Sequence, residues 1–201
     1  MEISASIVKE LREKTGVGMM DCKKALQESG GDLQAAIDYL RKKGIATAKK
    51  RGSRVTSEGQ VKAYIHGGGK IGVLVEVNCE TDFSAKTGDF SEFVKNVAMQ
   101  IAATNPISID REGVPPQTLE KEKEIYTTQA KESGKPEKVW DKIVEGKMKK
   151  FYSEACLLEQ PFVKNPDITV QDLLNELMAK TGENILIRRF SRYQLGESDD
   201  R

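Results

Sequence analysis

Residues 61–78, VKAYIHGGGKIGVLVEVN, decide the fold class. Val61, Ala63 and Ile65 alternate with Lys62, Tyr64 and His66, and Ile71, Val73, Val75 and Val77 alternate in a second run. Period-two alternation on both sides of Gly67-Gly68-Gly69 predicts a β-hairpin, with glycine supplying the positive φ of a tight turn. Leu74 falls on the opposite face of the second run, so that face is expected to be covered in part. Downstream, CETDFSAKTG (79–88) reads as a loop. Asp89 then caps a helix that carries Phe90, Phe93, Val94, Val97 and Ile101 on one stripe and ends before Pro106. Residues 106–116 form a connection, with a short edge strand expected at Ile107–Ile109. Two helices follow, over about 117–133 and 136–158. Thr169 and Asp172 have capping-box spacing before a helix with Leu173, Leu174 and Leu177, which Gly182 ends. Residues 184–195 read as a final strand. Strand, strand, helices and strand define an α+β core with a small antiparallel sheet and helices on one face.

Upstream of the hairpin the period changes to that of helices. Ser4 caps a helix with Ile7, Val8 and Leu11 on one face, ending before Gly16. A second starts near Gly18, carries Met20, Ala25 and Leu26, and stops at Gly30-Gly31. Asp32 caps a third, with Leu33, Ala36, Ile37 and Leu40 in phase and Gly44 as its expected stop. None is long enough to persist alone, so the three are expected to pack together. Residues 45–57 lose the apolar period and gather Lys49, Lys50, Arg51 and Arg54. They read as a helical spur and linker, which places a domain boundary near residue 54: a three-helix domain over 1–54 and an α+β core over 55–201.

Charge is nearly balanced overall, at +1. Twelve basic residues against seven acidic in 1–54 make the head +5 and leave −4 for the remainder. A basic head steers toward an acidic partner surface, and solvated lysine-rich helix faces account for the same pattern. Cys22, Cys79 and Cys156 are odd in number and scattered, which suits buried thiols in a reducing compartment. No apolar run approaches the roughly 20 residues that span a bilayer. The opening MEISASIVKE lacks a basic-then-apolar signal layout, so a cytoplasmic protein with no membrane partner is expected.

Catalytic chemistry finds little support. His66, the only histidine, ends a strand beside the glycine turn with no nucleophile motif around it. No cysteine pair or histidine spacing suits a metal, so neither catalytic nor metal-ligating residues, nor a cofactor, are expected. Gly67-Gly68-Gly69-Lys70 leads into a strand rather than a helix, which removes the phosphate-loop reading. The Lys49–Arg54 cluster lacks the aromatic stacking positions of a nucleic-acid reader, so no direct nucleic-acid contact is expected. The loop 79–88 stays unexplained. By residue type alone Phe83 folds inward, as most loop aromatics do, and Asp82 is a turn residue; an outward Phe83 beside a carboxylate would instead be an apolar anchor for a protein partner.

Two stretches, IVKELREKTGVGMMDCKKAL (7–26) and GVLVEVNCETDF (72–83), resemble the two signatures of the bacterial and organellar translation elongation factor Ts family. Their spacing and the final capped helix and strand are also similar, over residues 2 to about 195, in the short form with one core module. The resemblance implies a ubiquitin-associated-like three-helix head. It also implies a guanine-nucleotide exchange factor, not an enzyme, that promotes GDP release from elongation factor Tu. Thr81, Asp82 and Phe83 would form the partner-binding motif, with Asp82 and Phe83 inserting into the G domain. Lys23, with Lys49 or Lys50, would approach the same domain, and Met19 and Met20 would lie in an apolar contact region. Ser84 stands where the family's motif usually has valine, which would trim apolar contact beside the anchor. A homodimer is a further expectation, through strand 185–195 or helix 139–158. The resemblance fits a bacterial cytoplasm, or a plastid stroma if the chain is organelle-encoded. The alternative function is an adaptor that binds proteins or peptides through the three-helix head.

Overall fold

The structure is a computed structural model that describes residues 3–197; side chains at positions 45 and 47–51 fall outside that description. Three helices open the chain: α1 (Ala5–Thr15), α2 (Met19–Glu28) and α3 (Leu33–Arg51). Their ends follow the capping signals. Ser4 Oγ accepts the Ile7 N–H at 3.5 Å, and Asp32 accepts the Ala35 N–H at 2.6 Å. Gly16 closes α1 in the left-handed region (φ 67°), its N–H donating to the Arg12 carbonyl. Val8, Leu11, Cys22, Ala25, Leu26, Ala36 and Leu40 bury one shared core, an arrangement compatible with a ubiquitin-associated-like unit.

Gly44 does not stop α3. The helix runs on to Arg51, and an ideal Cβ at Gly44 would lie 3.2 Å from the Ala179 Cβ. Glycine is there because α8 (Val170–Thr181) approaches α3 too closely for a side chain. Arg41 of α3 also pairs with Asp172 of α8 at 3.0 Å. The stem of Lys180 fills the space a side chain at Gly16 would need, and its ammonium reaches Asp89 at 2.6 Å.

The hairpin forms as β1 (Glu58–His66) and β2 (Ile71–Cys79). With β5 (Ile185–Gln194) they make a three-stranded sheet in the order β1-β2-β5, part of the α+β architecture. In β2, Val73, Val75, Val77 and Cys79 are buried and Leu74 is exposed, as the alternation requires. Val61, Ala63 and Ile65 are exposed, so in β1 the more apolar set is the outer one. In β5 the buried positions are odd-numbered at Ile185 and Ile187 and even-numbered at Arg192, so the alternation shifts by one within the strand.

Between β2 and β5 run α4 (Asp82–Ala85), α5 (Gly88–Thr104), α6 (Pro116–Glu132) and α7 (Trp140–Ala155), then the two short strands β3 (Pro161–Phe162) and β4 (Asn165–Thr169) and α8. Thr87, not Asp89, caps α5, its hydroxyl accepting the Phe90 N–H at 3.3 Å. Ser108 makes one isolated bridge to Cys156 in place of the expected edge strand. The antiparallel β3–β4 pair, too short to leave a period in the sequence, was not expected.

Compactness divides the chain into two units. The first comprises residues up to Lys62, Val75–Lys95 and Asp172–Arg188, and the second Ala63–Leu74, Asn96–Gln171 and residues from Arg189 on. In the second, α6 packs on α7. Its core there includes the fully buried Gln100, whose amide donates to Gln160 Oε1 and the Pro161 carbonyl, both at 3.1 Å. The same side chain accepts the Val163 N–H at 2.9 Å, which satisfies its buried polar atoms on both sides. The first unit carries the candidate site.

Candidate partner-binding site

β2 ends at Cys79, and the chain turns through Glu80 and Thr81 into the single helical turn α4. Thr81 is the N-cap: its Oγ1 accepts the Ser84 N–H at 3.2 Å. Asp82 and Phe83 are therefore the first two helical residues, on the open side of the turn. Phe83 projects outward and is 79% exposed. The inward reading that residue type favours does not hold, because the interior side of this turn is already taken by Ser84 and Ala85, both buried.

Ser84 is 3% exposed, and its hydroxyl has no hydrogen-bond partner among the described residues; the buried Cys79 thiol is its polar neighbour. The expectation that Ser84 trims apolar contact beside the anchor is corrected by this burial. Any effect of Ser84 acts on how the turn seats on the core, since its side chain faces away from the Phe83 surface. Burial raises the Cys79 thiol pKa, and its S–H lies 3.2 Å from the Thr81 carbonyl.

Asp82 is exposed and hydrogen-bonds Lys86 one turn on, at 2.7 Å. That bond, with the lysine's charge, holds the Asp82 carboxyl below its ordinary pKa and raises Lys86 in return. The acid beside Phe83 is thus ionised at neutral pH and already has a cationic neighbour.

Beneath the turn the polar contacts are dense. Gln60 of β1 donates through its amide to the Ala85 carbonyl at 2.6 Å and to Ser91 Oγ at 2.9 Å. Glu183 Oε2 accepts the N–H groups of Glu80 and Thr81, each at 3.1 Å, and its Oε1 accepts the Thr81 hydroxyl at 2.6 Å. Glu80 reciprocates, accepting the Asn184 N–H at 2.6 Å and lying 3.3 Å from the Arg54 guanidinium. Asn184 Nδ2 donates to the Arg54 carbonyl at 3.0 Å. Sequence reading singled out Arg54 only as part of a basic cluster, and it missed Gln60, Glu80, Glu183 and Asn184. Partners 25 to 130 residues apart leave no spacing to read.

Of the other residues singled out by sequence, Met19, Met20 and Lys23 form a second group on the first turns of α2, all exposed, with Met20 at 75%. Their helix buries Cys22, Ala25 and Leu26 instead, so Met20 belongs to the surface rather than to the helix's inner face. Lys49 and Lys50 lie on α3, but their side chains are outside the described residues. His66 is exposed and stacks on Tyr64, whose hydroxyl is 3.0 Å from its Nδ1. Among the described residues no group of three or more His, Cys, Asp or Glu side chains is placed to hold a metal ion. No helix among them is long and apolar enough to cross a membrane.

An outward aromatic beside a carboxylate thus stands on a turn held by half-buried and exposed polar contacts, a combination that suits contact with another macromolecule. Known proteins place the chain more narrowly. The family model described as Elongation factor TS matches residues 21–197. The chain is 63% identical over 196 residues to Elongation factor Ts of Syntrophobacter fumaroxidans, covering 98% of each chain. It is 64% identical over 195 residues to Elongation factor Ts of Desulfosudis oleivorans (97% of this chain, 98% of the relative). The same protein of Moorella thermoacetica is also 64% identical over 195 residues (97% and 96%). The chain belongs to the elongation factor Ts family of translation factors.

Proposed function

We propose that this chain is the guanine-nucleotide exchange factor of elongation factor Tu. In this reading it promotes GDP release by inserting Asp82 and Phe83 into the partner's G domain and disturbing the Mg²⁺ and phosphate site there. The observation that carries the reading is Phe83, held outward at 79% exposure by a turn that its own side chain does nothing to stabilise. A large exposed apolar side chain on a pinned turn loses little conformational freedom on binding, so most of its burial energy is available to the complex. Full burial of such a ring contributes about 1.5–3 kcal/mol.

That energy becomes exchange only if it is coupled to the nucleotide. GDP is held partly through the metal and backbone donors, so displacing the helix that positions them weakens nucleotide binding. Reciprocity then requires bound nucleotide to weaken the exchange factor by the same factor. Asp82 contributes either a charge-assisted hydrogen bond or repulsion of groups near the metal site. Met19, Met20 and Lys23, with Lys49 and Lys50, form the second contact, from a functional head over residues 1–54 to a core over 55–201. The protein performs no bond chemistry in this role. The bacterial sources of its relatives favour the bacterial cytoplasm over a plastid as its location.

Release of a fluorescent GDP analogue from elongation factor Tu, with and without the chain, tests the proposal. Acceleration is expected; no acceleration by the intact protein refutes it. The adaptor alternative predicts that residues 1–54 alone keep the binding activity. The close approach of α3 to α8 at Gly44 argues that this head works joined to the core. Self-association is a secondary proposal. Tyr193 and Leu195 are 72% and 78% exposed near the end of β5, whereas the apolar residues of α7 face a helix already packed on them. The mass in solution, alone and with elongation factor Tu, decides it.

A further inference from the structure

We propose that Glu183 is a positioning residue for exchange, the group that holds the Thr81–Phe83 turn ready for its partner; this rests on the exchange reading above. A helix of four residues has no stability of its own, because its few hydrogen bonds cannot offset the cost of starting it. Phe83, the side chain that matters to a partner, is turned to solvent and cannot anchor the turn. The turn must therefore be fixed from its base.

Glu183 is arranged to do that. Three donors converge on its carboxylate: the Glu80 N–H, the Thr81 N–H and the Thr81 hydroxyl. A carboxylate has acceptor capacity on both oxygens and accepts from all three at once. The hydroxyl bond, at 2.6 Å, has a consequence one step further on. That bond holds the Thr81 hydroxyl in place, and its oxygen accepts the Ser84 N–H at 3.2 Å, which is the cap on which α4 begins. Glu183 thus acts on Asp82 and Phe83 through Thr81, without touching either.

Its own placement is equally fixed. Gly182 ends α8 in the left-handed region (φ 76°), and the Glu183 N–H donates to Thr181 Oγ1 at 3.3 Å. The next residue, Asn184, gives its N–H to the Glu80 carboxylate at 2.6 Å. Each of the two acids therefore grips the backbone of the other's segment, so the turn after β2 and the turn before β5 are clasped from both sides. A carboxylate that only stapled the sheet needs the two backbone bonds; the bond to the Thr81 hydroxyl is the one that reaches the anchor.

The test compares Glu183→Gln, Thr81→Val and Phe83→Ala with the wild-type full chain in stimulated release of the fluorescent GDP analogue from elongation factor Tu. Glutamine keeps the shape but removes the charge and one acceptor oxygen, which weakens the charge-assisted bonds; valine keeps the branched shape of Thr81 and removes the hydroxyl. For Glu183→Gln we expect the concentration for half-maximal stimulation to rise about tenfold, with the saturating rate within about twofold of wild type, because the turn must now be ordered during binding; Thr81→Val, which also removes the cap, should raise that concentration at least as much. The double variant should lose less than the two single ones summed, since they share the bond between the Thr81 hydroxyl and Glu183. Phe83→Ala should lower the saturating rate instead. Amide hydrogen exchange on the free protein supplies a readout independent of the partner. Protection at Thr81, Ser84 and Ala85 should fall at least tenfold in Glu183→Gln while that of Val75 and Val77 holds. Unchanged protection at 81–85, or a concentration dependence like that of wild type, overturns the positioning role. A wild-type chain that leaves GDP release unaltered refutes the exchange reading alone, and the protection data still decide the role of Glu183. Should Glu183→Gln fail to fold, Glu183→Asp, which keeps the charge and shortens the reach, carries the same comparison.

Discussion

The two ends of β2 carry two loops built on opposite principles. At its start, Gly67, Gly68 and Gly69 take φ values of 61°, 66° and 91° in succession and lead into Lys70. An ideal Cβ at Gly68 would meet nothing within 4 Å. That loop closes by backbone freedom alone. At the other end, Thr81, Asp82, Phe83 and Ser84 take ordinary conformations, and the turn is held by side chains: the Thr81 cap, the Glu183 carboxylate and the Gln60 amide. A loop that only has to reverse the chain needs glycine. A loop that has to present a phenyl ring in a fixed direction needs anchors, because glycine's freedom is what presentation must exclude.

Substitutions at the two ends sharpen the contrast, beginning with the largest effect. Phe83→Ala should reduce the saturating rate of stimulated GDP release by roughly 10- to 100-fold, the equivalent of about 1.5–3 kcal/mol. Its thermal unfolding should match wild type, since the ring lies outside the core. Thr81→Val should cost about 1–2 kcal/mol of stability, read by chemical denaturation, through loss of the cap. Gly68→Ala should cost about 1 kcal/mol, because alanine is strained at φ 66° even in open space, and should leave exchange within about twofold of wild type. Ser84→Ala should leave stability within about 1 kcal/mol of wild type, since the buried hydroxyl it removes has at most the Cys79 thiol as a weak partner.

The smallest effect concerns Asp82. Lys86 depresses its folded-state pKa, so the pair's contribution is present above the ordinary carboxylate range and is lost as pH falls through the depressed value. Lys86→Ala should move the Asp82 titration, followed by NMR, up toward the ordinary carboxylate value. It should leave thermal unfolding at neutral pH unchanged, as befits a fully exposed pair.

The same contrast explains what could be read from sequence. The glycine turn, the alternation of β2, the Ser4 and Asp32 caps and the apolar stripe of α5 are local patterns, and each is where the periodicity puts it. Gly44 looked like a stop because glycine ends helices more often than it admits a neighbouring one; only the position of Ala179 reveals the difference. Alternation in β1 does not say which set faces in: Val61, Ala63 and Ile65 are exposed, and Gln60 turns inward to meet Ala85 and Ser91. At the site, the outward Phe83 was legible only through the family resemblance. Glu183 was not legible at all, because a carboxylate that binds backbone N–H groups about a hundred residues away leaves no motif.

The most direct measurement sets Phe83→Ala beside Gly68→Ala in stimulated release of the GDP analogue from elongation factor Tu, at saturating concentrations of each variant. The account predicts a loss of at least about tenfold for Phe83→Ala and less than about twofold for Gly68→Ala. Wild-type rates from Phe83→Ala, or equal losses from both, would contradict the claim that exchange is driven through the anchored end of β2.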